Sequence, residues 1–188
     1  MGKIKLLGIS GKKRSGKNLA AKYIRDIIHK KDPSLLTGEL GFADGVKYTA
    51  AEALDLDRMI FFEDKNKEKL FRIDEETELT GREILKRIGM MFRDTLSQAF
   101  WIYRLTKIAK GQPDFFFIIT DIRFPNEVEV VEAAGGIVIR LNRDTGLKDS
   151  HISETALDDY TFPLTIDNDG TKEELYKELE NWIKELDI

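Results

Sequence analysis

The chain has 188 residues, enough for one domain with a substantial core, and its 41% apolar and 34% charged residues are typical of a folded globular protein. It has no cysteine, which excludes disulfides, thiolate metal sites and cysteine nucleophiles. The formal net charge of -4 argues against binding of polymeric nucleic acid as the main role, and no apolar run reaches the length of a membrane span. We therefore expect a cytoplasmic protein that binds neither nucleic acid polymers nor a membrane.

The first predicted element is a buried strand, KIKLLGI at residues 3–9, which runs into the stretch GKKRSGK and then into an amphipathic helix. The spacing is that of a phosphate-binding loop, G-x-x-x-x-G-K, in the strand–loop–helix order that this pattern requires. The glycines let backbone N–H groups turn toward an anion, and the helix adds its positive end. An ordinary glycine-rich turn with solvated lysines is the alternative, but spacing and order together favour a nucleotide site. The predicted ATP-binding residues are Gly11, Lys13, Arg14, Ser15, Gly16, Lys17 and Asn18.

Asn18 departs from the usual loop pattern. In many phosphate loops the residue after the lysine gives a hydroxyl to Mg²⁺, but neither Asn18 nor Leu19 has one. Either the Asn18 amide oxygen helps to hold the metal, or phosphates and water hold it, since Mg²⁺ is reluctant to lose its water. The sequence leaves both arrangements open.

The segment that follows the first helix is harder to interpret. FADGVK at residues 42–47 is either a substrate loop or a turn before a helix. The charged segment at residues 63–78 is interpreted as a solvated, mobile excursion, with a lid or a substrate loop as the alternative.

Thr80 and Glu83 have the spacing of a capping box, which opens a long helix to about residue 98 that could continue to Lys110. A basic stripe with a glycine in it runs along this helix, formed by Arg82, Lys86, Gly89 and Arg93. Such a stripe is by itself often only a solvated face. In a chain with a phosphate loop, it could also admit an anionic ligand close to the helix backbone.

The motif DIRFPNE supplies the second group of candidate site residues. Asp121 follows the apolar strand FFFIIT at residues 115–120, so it should lie at the carboxyl edge of the sheet, where ligands bind. Arg123 points to the same side of an extended chain and can bind a phosphate through two hydrogen bonds. Glu127 opens the next helix, where it lies close to the chemistry or only complements the helix dipole.

The remaining elements complete an alternating pattern. GIVIRL at 136–141 and LTIDN at 164–168 are two more apolar strands, and Thr171 and Glu174 open a C-terminal helix with a second capping box. Apolar strands separated by helices predict an α/β fold with a parallel sheet and helices on both faces. SHISETAL at 150–157 is either a helix start or a catalytic pair.

Six segments together resemble the bacteriophage-type deoxynucleoside monophosphate kinases, within the P-loop nucleoside monophosphate kinase family. They are SGKKRSGK, FADGVK, GREILKRIG, DIRFPNE, SHISET and NDGT, and they lie between residues 10 and 171. The resemblance implies a three-layer P-loop kinase fold in a single domain over residues 1–188. It also implies a helical region at about 42–110 that binds the nucleoside monophosphate, and a short lid at about 142–155.

The resemblance further implies transfer of the γ-phosphoryl group from ATP, with Mg²⁺, to a deoxynucleoside monophosphate. The implied catalytic residues are Lys17, Asp121, Arg123 and Glu127. The implied acceptor-site residues are Asp44, Lys47, Arg82, Arg93, Trp101, Asp121 and Arg123, with the arginines for the monophosphate and the indole to stack on or wall the base. The implied lid residues are Arg143, His151 and Glu154, and Arg140 with Arg143 would reach the phosphates. Asp121, directly or through water, and Asn18 are the implied metal ligands.

Two other functions stay open at this point. The chain could be another P-loop small-molecule kinase, such as one that acts on dephospho-coenzyme A. It could instead be a nucleotide-binding regulator, in which Asn18 marks lost catalysis. The resemblance also suggests a homodimer formed through the exposed part of the 81–110 helix, and a location in the host cytoplasm if the chain is phage-encoded.

Overall fold

The structure is a computed structural model, and it describes residues 5–146 and 152–186. The chain divides into two compact units: a core unit of residues 1–40 and 108–188, and a helical unit of residues 41–107. Every helix in the described part of the chain is too short or too polar to span a membrane.

Within the described ranges, strands and helices alternate along most of the chain. The strands are β1 (Leu6–Ser10), β2 (Leu36–Leu40), β3 (Leu70–Arg72), β4 (Glu78–Thr80), β5 (Phe115–Ile122), β6 (Ile137–Asn142) and β7 (Thr165–Asp167). The helices are α1 (Lys17–Lys31), α2 (Asp44–Ala53), α3 (Gly81–Thr95), α4 (Phe100–Gly111), α5 (Pro125–Ala133), α6 (Ile152–Thr155) and α7 (Lys172–Lys184).

The core unit is built on a parallel sheet in the order β2-β5-β1-β6-β7. Leu7 and Ile9 of β1 pack against α1 and α7 in the main apolar cluster, while α5 packs against β1 and β6. The crossovers from β1 to β2 and from β5 to β6 run in opposite directions along the sheet. Right-handed connections therefore place α1 and α5 on opposite faces. This architecture confirms the predicted three-layer α/β fold.

The four predicted strands are confirmed as β1, β5, β6 and β7, with small shifts at their ends. Strand β2, with the sequence LTGEL, was not predicted. It lies at the edge of the sheet formed by the described residues, where it pairs with β5, and its side chains are exposed or partly exposed. An edge strand of this kind does not need the continuous apolar run by which the other strands were recognised.

The charged segment at residues 63–78 is largely exposed, as predicted, but it is folded into regular elements and is not an irregular excursion. It contains a short 3-10 helix, Asp64–Asn66, and then strand β3 with the turn that leads to β4. Phe71 is buried and its ring centroid lies 5.2 Å from that of Phe61. Both rings belong to an apolar cluster of the helical unit. A single buried aromatic residue thus anchors a stretch whose composition otherwise suggests a solvated loop.

The predicted long helix from residue 81 is two helices, α3 and α4, with a break at residues 96–99. The N–H groups of Leu96 and Ser97 both donate to the carbonyl oxygen of Phe92, which ends α3. Ser97 then accepts from the N–H of Ala99 through its hydroxyl and from the N–H of Phe100 through its carbonyl oxygen, which begins α4. Both predicted capping boxes are confirmed, at the starts of α3 and α7.

Candidate active site

The stretch GKKRSGK lies between β1 and α1, and its backbone is bent as an anion-binding loop requires. Gly11, Arg14 and Gly16 have positive φ angles of 154°, 66° and 98°. Turns of this kind let successive N–H groups point toward one place. Gly16 is constrained in a second way, because a Cβ there would lie 2.4 Å from the side-chain nitrogen of Asn168.

Lys17 is the first residue of α1, and only 9% of its surface is exposed. Its Nζ donates to the carbonyl oxygens of Gly11 and Lys12, both at 2.7 Å. Burial and, to a lesser extent, the positive charge of Arg123 together lower the pKa of Lys17 to about 8. The lysine is thus held against the loop with its charge poorly solvated, so a bound anion would stabilise that charge.

Arg123 follows β5, and its guanidinium reaches the same loop. Its Nη1 donates to the carbonyl oxygen of Gly11 at 3.4 Å and lies 2.6 Å from Oε1 of Glu154. The other carboxylate oxygen of Glu154 accepts from the backbone N–H of Lys13 at 2.9 Å. The Glu154 side chain, from α6, is only 11% exposed. A largely buried carboxylate therefore joins the arginine to an N–H group of the phosphate loop.

Glu127, in the first turn of α5, is 2% exposed. Its Oε2 accepts from the backbone N–H groups of Arg123 at 2.8 Å and Phe124 at 3.2 Å. The carboxylate therefore caps the start of α5 and fixes the backbone that carries Arg123. These contacts favour the helix-start interpretation of Glu127, and a direct role in catalysis stays a prediction.

Arg140 was predicted to act with the lid, but it lies in β6 and is 7% exposed. Its guanidinium donates to the Ser10 hydroxyl at 3.1 Å and to Asp158 at 3.0 Å. Burial lowers its pKa. Asp158 also accepts from Nζ of Lys12 at 2.8 Å, so it links Arg140 to the phosphate loop. The apolar strand pattern GIVIRL did not reveal that the arginine side chain is buried against Ser10 of β1.

Asn168 is a site residue that the sequence interpretation missed. It follows β7, is 5% exposed, and its side-chain nitrogen donates to the carbonyl oxygen of Ser15 at 2.9 Å. The available signal was the segment NDGT, which carries part of the family resemblance.

Asp121 lies inside β5, because this strand runs two residues further than predicted. It is partly buried, and its charge raises the pKa of Lys17 against the effect of burial. In the described ranges no group of three or more histidine or carboxylate side chains could hold a metal ion. A site with few protein ligands fits Mg²⁺, which keeps several waters and binds one or two carboxylates together with substrate phosphates. Asn18 is exposed in the first turn of α1.

In the helical unit, FADGVK leads directly into α2, whose first residue is Asp44. Asp44 accepts from the N–H of Gly41 at 2.7 Å and from Nζ of Lys47 at 3.1 Å. Arg82 is exposed and donates to Glu68 at 2.9 Å. These contacts place Asp44 and Lys47 together at the start of α2, and Arg82 on the solvent side of α3.

Trp101 is 3% exposed, so its ring is not open for stacking on a base. Its indole N–H donates to the carbonyl oxygen of Gly89 at 3.1 Å. A Cβ on Gly45 would lie 2.7 Å from the ring, which therefore packs directly against the start of α2. Within the helical unit, Trp101 therefore supports the segment that carries Asp44. Arg93, another predicted acceptor residue, lies in α3 and is half-buried.

The region predicted as a lid is only partly described. Arg143 is exposed on the loop after β6, Glu154 makes the contacts given above, and His151 lies outside the described residues. A cavity of about 320 Å³ in the core unit is lined by Lys12, Arg140, Arg143 and Asp158 together with Tyr160 and Phe162. Basic and aromatic side chains thus share one concave surface next to the phosphate loop.

The profile of the deoxynucleotide monophosphate kinase family matches residues 45–179, more than half of the chain. The chain belongs to this family. It is therefore a kinase, which agrees with the phosphate loop that precedes the matched stretch. The assignment of the loop itself rests on its geometry, since the match begins after it.

Curated relatives of this kinase come from viruses. A protein of Acanthamoeba polyphaga mimivirus, provisionally named deoxynucleotide monophosphate kinase, is 28% identical over 190 residues, with 93% of each chain covered. The deoxynucleotide monophosphate kinases of Escherichia phage RB69 and Enterobacteria phage T4 are 37% identical over 70 residues and 28% identical over 117 residues. These two alignments cover 37% and 59% of the kinase described here, and 29% and 48% of the phage proteins.

Solved structures share the fold of this kinase. The APS kinase of Mycobacterium tuberculosis has a TM-score of 0.50 at 13% identity, with 97% of this chain and 99% of that chain covered. A Thermus thermophilus protein has a TM-score of 0.50 at 14% identity, with 98% and 99% covered. At such low identity the likeness shows the fold alone.

The buried position of Lys17 predicts a pH dependence of stability. Its pKa of about 8 in the folded chain is below its ordinary value of 10.5, so between these pH values only the unfolded chain holds the proton. Arg140 also lowers this pKa, whereas Glu154 and Asp121 raise it. The unfolding free energy of the wild type, relative to a Lys17→Met variant, should be constant below pH 8. It should then rise by up to about 1.4 kcal/mol per pH unit through this window.

Denaturant unfolding of both proteins at several pH values measures this difference. Lys22→Met is the control, because Lys22 is an exposed lysine of the same helix. If the difference in unfolding free energy between the wild type and Lys17→Met stays constant from pH 8 to pH 10.5, the lowered pKa is contradicted.

Proposed function

We propose that this chain transfers the γ-phosphoryl group of ATP to a deoxynucleoside monophosphate, which yields ADP and the deoxynucleoside diphosphate. The observation that carries the proposal is the meeting of Lys17 and Arg123 at the bent loop after β1, in a member of the deoxynucleotide monophosphate kinase family. Both substrates are polyanions, so the reaction needs convergent positive charge more than a covalent intermediate.

In the proposed reaction, Lys17 and the N–H groups of the loop bind the β- and γ-phosphates of ATP. A phosphate oxygen of the acceptor forms a bond to the γ-phosphorus, while the bond from that phosphorus to the bridging oxygen of ADP breaks. Arg123 offsets negative charge on the acceptor phosphate and on the transferred group. Mg²⁺, held by Asp121 directly or through water, would neutralise charge on the β- and γ-oxygens.

Glu154 has a distinct role in this proposal, because it is an anion already seated in the donor site. Its carboxylate accepts from the N–H of Lys13 and pairs with Arg123, which are contacts that a phosphate group could also make. Binding of ATP would therefore displace Glu154 from the loop. In this proposal Glu154, which was predicted as a lid residue, competes with the nucleotide for the phosphate loop.

The helical unit carries the other predicted acceptor residues. Lys47, Arg82 and Arg93 would contribute positive charge for the monophosphate, and the buried ring of Trp101 would support the segment that carries Asp44. Glu127 would act by fixing the backbone of Arg123. The homodimer and the cytoplasmic location stay predictions, and the comparisons favour neither the dephospho-coenzyme A kinase nor the regulator over this function.

The proposed reaction is tested by ADP release from ATP and Mg²⁺ with a panel of the four common deoxynucleoside monophosphates and dephospho-coenzyme A as acceptors. We expect turnover with at least one of the deoxynucleoside monophosphates. Lys17→Ala should lower that turnover about 100-fold or more while the chain stays folded, because the charge at the transferred phosphate is lost. Lys22→Ala, which removes an exposed lysine of α1, should be close to wild type.

The same panel separates the competing functions. ATP binding without turnover on any acceptor would support the regulator, and turnover with dephospho-coenzyme A alone would support the rival kinase. If Lys17→Ala keeps activity within a few-fold of the wild type, the loop after β1 does not bind the transferred phosphate as proposed.

Arg123→Ala should weaken use of the acceptor far more than binding of ATP. We expect the KM for the acceptor to rise about tenfold or more, because a charged hydrogen-bond donor is lost, while the Kd for ATP changes less than about threefold. Steady-state kinetics gives the first value and titration of the unreacted protein gives the second. Arg123→Lys keeps the charge but not the planar guanidinium, so its KM for the acceptor should lie between those of the wild type and Arg123→Ala. An equal loss for both substrates would show that Arg123 belongs to the donor site.

Glu154→Gln should tighten the binding of ATP. The neutral amide is held less tightly by the N–H of Lys13 and by Arg123, so ATP displaces it from the loop more easily, and we expect the Kd for ATP to fall about tenfold. Calorimetric titration at a pH well below the Lys17 pKa of about 8 measures this effect without interference from that group. Glu178→Gln, an exposed change on α7, controls for the net charge. Unchanged or weaker binding in Glu154→Gln would mean that the carboxylate does not compete with the nucleotide.

A further inference from the structure

The phosphate loop is held in place by a side chain from the far end of the chain. Asn168 follows β7, and its Nδ2 donates to the carbonyl oxygen of Ser15 at 2.9 Å across 153 residues of sequence. The backbone N–H of Asn168 donates to the carbonyl oxygen of Asn142 at 2.8 Å. The asparagine is therefore fixed to the sheet through β6 and can act as a rigid support for the loop.

The hydrogen bond acts on a single peptide unit. A trans peptide is planar, and its C=O and N–H groups point to opposite sides. Because the Ser15 carbonyl oxygen is directed toward Asn168, the N–H of Gly16 is directed away from it. Glycine tolerates both signs of φ, and Gly16 has a φ of 98°. A peptide next to such a residue can rotate readily unless something holds it.

The packing around Gly16 supports the same conclusion. A Cβ at this position would lie 2.4 Å from Nδ2 and 3.7 Å from Cγ of Asn168, which are its nearest contacts beyond its chain neighbours in the described residues. Asn168 is 5% exposed, so its amide is buried where it contacts the loop. The asparagine and the glycine therefore fit each other as a pair.

We propose that Asn168 is a positioning residue of the phosphoryl-donor site, which orients the N–H of Gly16 toward the phosphates of the bound nucleotide. The inference rests on the proposed function, since it requires that the loop bind the phosphates of ATP. Asn168 acts through the Ser15–Gly16 peptide and does not itself touch the substrate. It should therefore affect the donor nucleotide and leave the acceptor unaffected.

Two variants separate the hydrogen bond from the size of the side chain. Asn168→Leu keeps a similar volume but removes the donor, and Asn168→Asp places a carboxylate oxygen against the Ser15 carbonyl oxygen. We expect the Kd and the KM for ATP to rise about tenfold in Asn168→Leu and further in Asn168→Asp. The KM for the deoxynucleoside monophosphate should change less than about twofold. A general loss of stability would not raise the KM for one substrate alone.

Asn66→Leu is the matched control. Asn66 is 6% exposed, and its Nδ2 donates to the carbonyl oxygen of Ile60 at 2.9 Å, so a bond of the same kind is lost in the helical unit. Both leucine variants should lose a similar amount of thermal stability, while only Asn168→Leu should lose affinity for ATP. If Asn168→Leu does not fold, the smaller neutral variant Asn168→Ser carries the same expectation.

The outcomes distinguish this inference from the proposed function. If the wild type binds ATP and turns over but the Asn168 variants bind ATP equally well, the positioning role is overturned and the function stands. An equal rise in the KM for both substrates would also overturn it. If the wild type itself neither binds ATP nor phosphorylates any deoxynucleoside monophosphate, the proposed function fails and the inference fails with it.

Discussion

A cluster of positive charges at the end of one buried strand is the constraint on which the rest of the structure depends. Lys17 and Arg140 are buried, and burial lowers the pKa of both side chains. Arg123 adds a third positive charge that acts on each of them. Glu154 and Asp158 offset this charge only in part, since each carboxylate also accepts a hydrogen bond from the phosphate loop. Glu154 accepts from the N–H of Lys13, and Asp158 accepts from Nζ of Lys12. A polyanion that enters such a site stabilises it, which is the electrostatic basis for binding ATP.

The parallel sheet explains why these charges meet. Strand β1 lies between β5 and β6, and Ser10 at its end pairs in register with Ile122 of β5 and Arg140 of β6. Parallel strands bring their carboxyl ends to one edge, so the loop after β1, the arginine after β5 and the arginine within β6 converge there. Strand β7 extends the same edge, and Asn168 follows it directly. The central position of β1 thus lets residues from three other strands reach one loop.

Features of the site that lie within a short stretch could be predicted from the sequence, and features that join distant stretches could not. The spacing of glycines and lysine predicts the loop, and the apolar strand before Arg123 predicts where that arginine lies. Nothing local indicates that Glu154 contacts a residue 141 positions away, or that Asn168 contacts one 153 positions away. Trp101 was expected to stack on or wall the base, and its burial disfavours stacking. Only the packing of α2 and α4 reveals this burial, since Gly45 lets α2 approach the indole. Edge strand β2 escaped prediction because an edge position relaxes the demand for apolar residues.

The two long-range contacts of the loop have opposite consequences in the proposed reaction. The hydrogen bond from Asn168 must persist, because it holds the peptide that binds phosphate. The contact of Glu154 must break, and that one carboxylate binds both the N–H of Lys13 and the guanidinium of Arg123. Displacement of Glu154 by the donor phosphates therefore also releases Arg123 toward the acceptor. By thermodynamic linkage, each substrate then favours the other, and the arginine is paired with a protein carboxylate until ATP has entered. The kinase would thus withhold its acceptor arginine from a monophosphate that arrives before ATP.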